Sequence, residues 1–177
     1  LLKKNINFKS NSDTEIIIEA FRQWSFDAFS MFRGMFAIAL WDNLEKKLIL
    51  ARDPFGIKPL YYTHKNNIFY FASQIKSLAN IENVSTEKNP NSINDYFVWG
   101  HIQGTKTLYR DINSLEIGSI KIIKIDGEEK NIKYADIKNT ILNSKKEIFK
   151  NSNELNERLS YYLNETLNYH YVSDVPI

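Results

Sequence analysis

Ala51-Arg52-Asp53-Pro54-Phe55-Gly56-Ile57-Lys58-Pro59-Leu60-Tyr61-Tyr62 is the stretch on which the reading of the fold turns. Leu48 to Ala51 ahead of it and Pro59 to Tyr62 at its end have strand character. Asp53-Pro54-Phe55-Gly56 between them carries turn chemistry, with Pro presetting φ and Gly accepting a left-handed backbone. The charged pair Arg52 and Asp53 stands at the strand–turn junction, where such a pair fixes a loop more often than it performs catalysis. Lys58 is read in the same way.

Working outward, Met35-Phe36-Ala37-Ile38-Ala39-Leu40-Trp41 is apolar throughout and suits a strand covered on both faces, which periodicity alone does not separate from a buried helix, with a turn opening at Asp42-Asn43. Ile68 to Ala72 predicts a further strand after the polar Thr63 to Asn67. Short loops between consecutive strands imply an antiparallel meander, because a parallel pair needs a long crossover. Upstream, Ser12-Asp13-Thr14-Glu15 has the pattern of a capping box. Ile16, Ile17, Ala20, Phe21 and Trp24 follow at helical spacing, and Ser25 is the expected cap of a shorter helix carrying Phe26, Phe29 and Phe32.

Downstream, Ser73 to Leu78 predicts a short helical turn and Pro90 to Trp99 a helix. Ser119 to Ile125 and Asn131 to Tyr134 flank Asp126-Gly127, a strong hairpin signal. Residues 135–152 are polar and Lys-rich and are read as a linker. Leu155, Leu159, Tyr162, Leu163 and Leu167 mark one face of an amphipathic helix, and Tyr171 to Ile177 is read as the lead into a buried strand. Strands beside segregated helices make the fold class α+β, with an α/β unit opening at the C-terminal end.

The bulk numbers narrow the function. The 177 residues hold one domain, or one domain and part of another. A net charge of +2 with scattered basic residues supplies no footprint for nucleic acid. No apolar run approaches the roughly 20 residues of a spanning helix, so no membrane partner is expected. The absence of cysteine excludes disulfides and thiolate metal sites from these residues and is compatible with a reducing, cytoplasmic location. His64, His101 and His170 lack ligand spacing and are read as surface or loop residues, so no metal site is expected. There is no P-loop, no G-x-G-x-x-G and no G-x-S-x-G. The chain opens at Leu1 without Met and stops just after Ser173-Asp174-Val175-Pro176, which reads as an internal piece of a longer protein.

Three strings in register go further. Gly34 to Asp42, Ala51 to Tyr62 and Phe71-Ala72-Ser73-Gln74-Ile75-Lys76-Ser77-Leu78, together with Ser12-Asp13-Thr14-Glu15, closely resemble the glutamine-hydrolysing asparagine synthetase family. His170 to Ile177 resembles the segment just before that family's ATP-binding loop. The resemblance implies that residues 1–134 are the back part of a class II glutamine amidotransferase domain, an N-terminal-nucleophile (Ntn) αββα sandwich. A linker over 135–152 would lead to the start of an ATP-pyrophosphatase-type synthetase domain at 153–177.

The resemblance also implies chemistry. Such an enzyme hydrolyses glutamine and passes the ammonia to aspartate adenylated by Mg-ATP, giving asparagine, glutamate, AMP and pyrophosphate. The nucleophile would be an N-terminal Cys upstream of Leu1, so residues 1–177 contain no catalytic residue and are expected to be inactive alone. ATP and Mg2+ would bind outside them. The family's glutamine-binding aspartate maps onto Asp13, whose carboxylate would select the substrate's α-ammonium by a charge-assisted hydrogen bond. The competing reading makes Asp13 a first-turn acid facing the positive helix end. Glutamine, aspartate and ATP are the expected partners, with a homodimer as the expected assembly.

Gln74 stands where the family commonly has Glu, and Ile117-Gly118 where it often has Pro-Gly, a change expected to loosen that turn. The rival readings are another class II glutamine amidotransferase, such as the phosphoribosyl-pyrophosphate enzyme, a synthetase-like paralogue that amidates a different acceptor, and a non-catalytic scaffold domain.

Overall fold

The computed structural model describes residues 6–10, 12–144 and 151–171. They form two units, one through Asp136 and one from Ile137 onward.

The first unit opens with α1 (Asp13–Trp24), a 3-10 turn (Ser25–Asp27) and α2 (Ala28–Met31). Four strands make one antiparallel sheet in the order β1-β2-β6-β7: β1 (Ala37–Asp42), β2 (Lys47–Arg52), β6 (Ser119–Lys124) and β7 (Glu129–Lys133). A second antiparallel sheet has the order β4-β3-β5, from β3 (Tyr61–Lys65), β4 (Ile68–Ala72) and β5 (Asn113–Ser114). Helices α3 (Ile75–Ala79) and α4 (Pro90–Trp99) lie between β4 and β5 in the chain.

Strand alternation sorts the apolar side chains into three cores. Ile38, Ile49, Ala51, Ile120 and Ile122 share one face of the first sheet with Phe29, and Ile17, Phe21 and Phe26 from the helical segment pack against them. Leu50 and Ile123, on the opposite face, meet Tyr62 and Phe69 of the second sheet and Leu60 just ahead of it. Tyr61, Tyr70 and Ala72 turn the other way, onto Leu78 and Ile75 of α3 with Val84 and Ile112. The layers therefore run helix, sheet, sheet, helix. Burying a core Leu or Ile stabilises by about 1.5–3 kcal/mol relative to exposure, so these cores hold the layers together.

Several expectations need correction. The strands do not form one meander. After Arg52 the chain leaves the first sheet, and β2 takes β6 as its neighbour with Leu50 opposite Lys121. The stretch 35–41 is not covered on both faces: Ile38 is buried on one face of β1, while Ala37 and Ala39 on the other are exposed and Trp41 is 51% exposed. Ser25 does not cap the start of the shorter helix; it is the C-cap of α1, with φ 50° and its N–H donating to the Phe21 carbonyl. Ile16 lies off the buried face of α1 at 43% exposure. Helix α4 has the expected bounds, closed by Gly100 in the left-handed region (φ 74°). The Asp126-Gly127 hairpin forms between β6 and β7.

The second unit contains α5 (Ile137–Ser144) and α6 (Ser152–His170). A helix thus occupies part of the stretch read as a linker. Asn151 caps α6, its side-chain oxygen accepting from the Glu154 N–H at 2.9 Å. Leu155, Leu159, Leu163 and Leu167 recur along α6 at four-residue spacing and are 44–54% exposed. The strand expected at Tyr171 to Ile177 lies outside the described residues beyond Tyr171.

Candidate functional site

Asp13 is the first residue of α1. The helix starts there because Ser12 is extended (φ −84°, ψ 134°), its hydroxyl accepting from Thr14 N–H at 3.3 Å and its carbonyl from Glu15 N–H at 3.1 Å. The expected capping box is therefore altered. Glu15 does not reach back to Ser12; its carboxylate accepts from the N–H groups of Lys9 and Ser10, each at 2.8 Å, and from the Ser10 hydroxyl at 2.6 Å. Those bonds, the one from the Lys9 backbone foremost, hold Glu15 below the usual carboxylate range. Glu15 is thus committed to pinning the chain ahead of the helix. Asp13, two residues before it, presents an exposed carboxylate at the positive end of the helix. An arriving ammonium could meet that carboxylate from solvent.

Arg52 and Asp53 come together as the anchor of a loop, as read from the sequence. Asp53 is 1% exposed. Its Oδ1 accepts from the N–H groups of Phe55 and Ile57, each at 3.1 Å, and its Oδ2 from Lys58 N–H at 3.0 Å. The Arg52 guanidinium donates to the carbonyls of Lys58 (2.9 Å), Gly56 (2.8 Å) and Leu115 (2.8 Å) and to the Ser114 hydroxyl (2.7 Å). Four of the five guanidinium N–H groups and both Asp53 carboxylate oxygens are thus engaged within the loop and its neighbours, which suits an anchor rather than a substrate site. The Lys58 side chain is exposed and enters the cluster only through its backbone.

Sequence reasoning missed two members of this anchor. The Tyr134 hydroxyl donates to the Arg52 carbonyl at 2.7 Å. Burial, and then the Asp53 charge, push that phenol well above its ordinary range. Gly118 donates to the Asp53 carbonyl at 3.0 Å and its own carbonyl accepts from Tyr134 and Ala135 N–H. The turn at Ile117-Gly118 is therefore tied both to Asp53 and to the end of the β6–β7 hairpin. No local pattern marks Tyr134, because its partner is 82 residues away. Gln74, exposed, precedes α3, and only its carbonyl is used, accepting from Ser77 N–H at 3.2 Å.

The histidines form no site. His64 Nδ1 is 3.3 Å from Glu129, while His101 and His170 each contact a carbonyl of their own segment. Among the described residues no group of three His, Asp or Glu side chains could hold a metal ion, and no helix is long and apolar enough to cross a membrane.

The helix–sheet–sheet–helix layering defines the class: an αββα sandwich. Solved structures share it. Glutamine phosphoribosylpyrophosphate amidotransferase from B. subtilis, complexed with ADP and GMP, superposes with a TM-score of 0.51 at 20% identity, covering 76% of this chain and 25% of its own. Residues 1–135 match the glutamine amidotransferase domain family, and the chain belongs to it. The chain is similar to asparagine synthetase [glutamine-hydrolyzing] 1 of Bacillus subtilis, 33% identical over 174 residues, 98% of this chain and 26% of that protein. A putative asparagine synthetase of Mycobacterium tuberculosis is 34% identical over 67% of this chain and 19% of its own length. The chain thus spans about a quarter or less of these relatives.

Proposed function

We propose that this chain is part of an ATP-dependent amide ligase that hydrolyses glutamine and transfers the ammonia to activated aspartate, giving asparagine. The observation that carries the reading is the similarity to the Bacillus synthetase, which runs over 174 residues and so continues past the amidotransferase domain ending at residue 135. On this reading the first unit belongs to the glutaminase half and α6 opens the synthetase half. ATP and Mg2+ are held by residues outside 1–177, as are the nucleophile and the aspartate site. The protein works in the cytoplasm as a homodimer.

Within this chain Asp13 is the group assigned to substrate. Its carboxylate at the mouth of α1 accepts from the α-ammonium of glutamine, while Glu15 is occupied with the preceding turn. Asp13→Asn in the complete enzyme keeps the shape and removes the charge. Leaving the ammonium unpaired costs about 2–5 kcal/mol, which is roughly 30-fold or more in kcat/KM for glutamine. Synthesis from free ammonia bypasses the glutaminase site and should hold within about twofold. Unchanged glutamine kinetics would remove Asp13 from the site. Equal loss with both nitrogen sources would mean damaged folding.

A further inference from the structure

Two carboxylates stand two positions apart at the start of α1, and the structure treats them oppositely. Asp13 is exposed, and among the described residues no side chain holds its carboxylate. Where it points is therefore decided by the backbone that carries it. Glu15 turns both oxygens back onto the incoming chain, Oε1 on Lys9 N–H and Oε2 on the Ser10 N–H and hydroxyl.

The Ser10 hydroxyl is a relay. It donates to Glu15 at 2.6 Å and accepts from Ser12 N–H at 3.3 Å. In an ordinary capping box the carboxylate three residues on takes the N-cap N–H itself. Here Ser10 stands between the two, and the box is widened to take in the residues ahead of the helix. The Ser12 carbonyl then accepts from Glu15 N–H, which closes a ring from Glu15 through Ser10 and Ser12 back to Glu15. Asp13 is carried on that ring, one residue after Ser12. The ring lies in exposed positions, where hydrogen bonds replace bonds to water at little net gain. Its effect is to select one conformation of the helix entry.

We infer that Glu15 is a positioning residue for glutamine: by holding Lys9 and Ser10 it fixes the direction in which Asp13 meets the substrate's α-ammonium. The inference rests on the reading of Asp13 given above. Preorganising a binding group in this way removes an ordering cost from association. Because the same bonds occupy both Glu15 oxygens, the ammonium is offered one carboxylate rather than two.

The test uses the complete enzyme. A misdirected carboxylate weakens ground state and transition state alike, so Glu15→Ala should raise KM for glutamine about tenfold with kcat within about twofold. Glu15→Gln keeps one acceptor oxygen and should recover most of that loss, and Ser10→Ala, which removes the relay, should fall between. Synthesis from free ammonia should hold within about twofold in all three. Added to Asp13→Asn, Glu15→Ala should cost less than about twofold more, since a residue acting through another is not additive with it. A further tenfold in that background would overturn the inference. So would an unchanged KM in Glu15→Ala where Asp13→Asn alone has its effect. If Asp13→Asn itself leaves glutamine kinetics unchanged, the reading of Asp13 falls and this inference with it. Should Glu15→Ala lose both nitrogen sources together, Ser10→Ala carries the comparison, and an unchanged KM there decides against the relay.

Discussion

Asp53 and Arg52, neighbours in sequence, grip the same loop through opposite chemistries: Asp53 holds the Lys58 N–H and Arg52 the Lys58 carbonyl. One residue's peptide groups are thereby fixed from both sides. The loop is rigid even though Phe55 at its tip is 70% exposed.

Asp53→Ala should leave three backbone N–H groups without their acceptor. At about 1–3 kcal/mol for each buried unsatisfied group, the loss should exceed 3 kcal/mol. Asp53→Asn keeps one oxygen and should cost less. Arg52→Lys cannot reproduce four separately directed donors and should cost about 2–4 kcal/mol. Urea midpoints of the three variants should follow the order Asn above Lys above Ala. Equal midpoints for Asn and Ala would mean that the Asp53 hydrogen bonds contribute little.

Tyr134 makes the fold sensitive to alkali. Its phenol is raised by burial and by Asp53, so the folded protein binds that proton more tightly than the unfolded chain. The associated stability is complete below about pH 10, the unperturbed value, and is lost as pH rises toward the folded value. Tyr134→Phe should cost about 1 kcal/mol at pH 7 through the missing hydrogen bond to Arg52. The gap between wild type and variant should hold up to about pH 10 and shrink above it. A constant gap would show that Tyr134 does not titrate on unfolding.

Much of the fold was legible because it is local. The strand character of Leu48 to Ala51, the Asp126-Gly127 hairpin and the Pro90 to Trp99 helix each lie within a dozen residues. The change of sheet after Arg52 was hidden, because the turn residues of Asp53 to Gly56 signal a turn without saying which sheet receives the next strand. That is decided by Arg52 reaching Ser114 and Leu115, 62 and 63 residues on. The assignment proposed for Asp13 rests on resemblance alone, since a first-turn acid has the same local signature with or without a substrate.

Lys121 is a buried cation, 4% exposed, on the face of β6 that meets the second sheet. Its Nζ lies 2.6 Å from Glu129 and 4.8 Å above the Tyr62 ring. Lys121→Met removes charge and desolvation together and should change stability by less than about 1 kcal/mol. Glu129→Ala leaves the cation without its carboxylate and should cost more, about 1–2 kcal/mol given that Glu129 is partly in water. The reverse order in thermal denaturation would make the pair a net stabiliser.

Gly118 has φ +61°, and a Cβ there would stand 2.5 Å from the Ala135 carbonyl oxygen. Gly118→Ala should cost about 2–4 kcal/mol, combining left-handed strain with a backbone clash. Gly127, at φ +89° with nothing within 4 Å, serves as the control; its Ala variant carries the conformational strain alone, about 1–2 kcal/mol. Equal losses would show that the clash relaxes freely.

The reach of Tyr134 back to Arg52 has a consequence for biosynthesis. The contact spans 82 residues, and closing so long a segment is slow and entropically costly before its bonds reward it. On a ribosome the chain through Lys58 emerges well before Leu115 and Tyr134 exist. During that interval Asp53 can gather its local N–H groups, but Arg52 waits for the carbonyl of Leu115. The nascent protein therefore carries a half-fastened loop, with Phe55 in front of it, until the β6–β7 hairpin arrives.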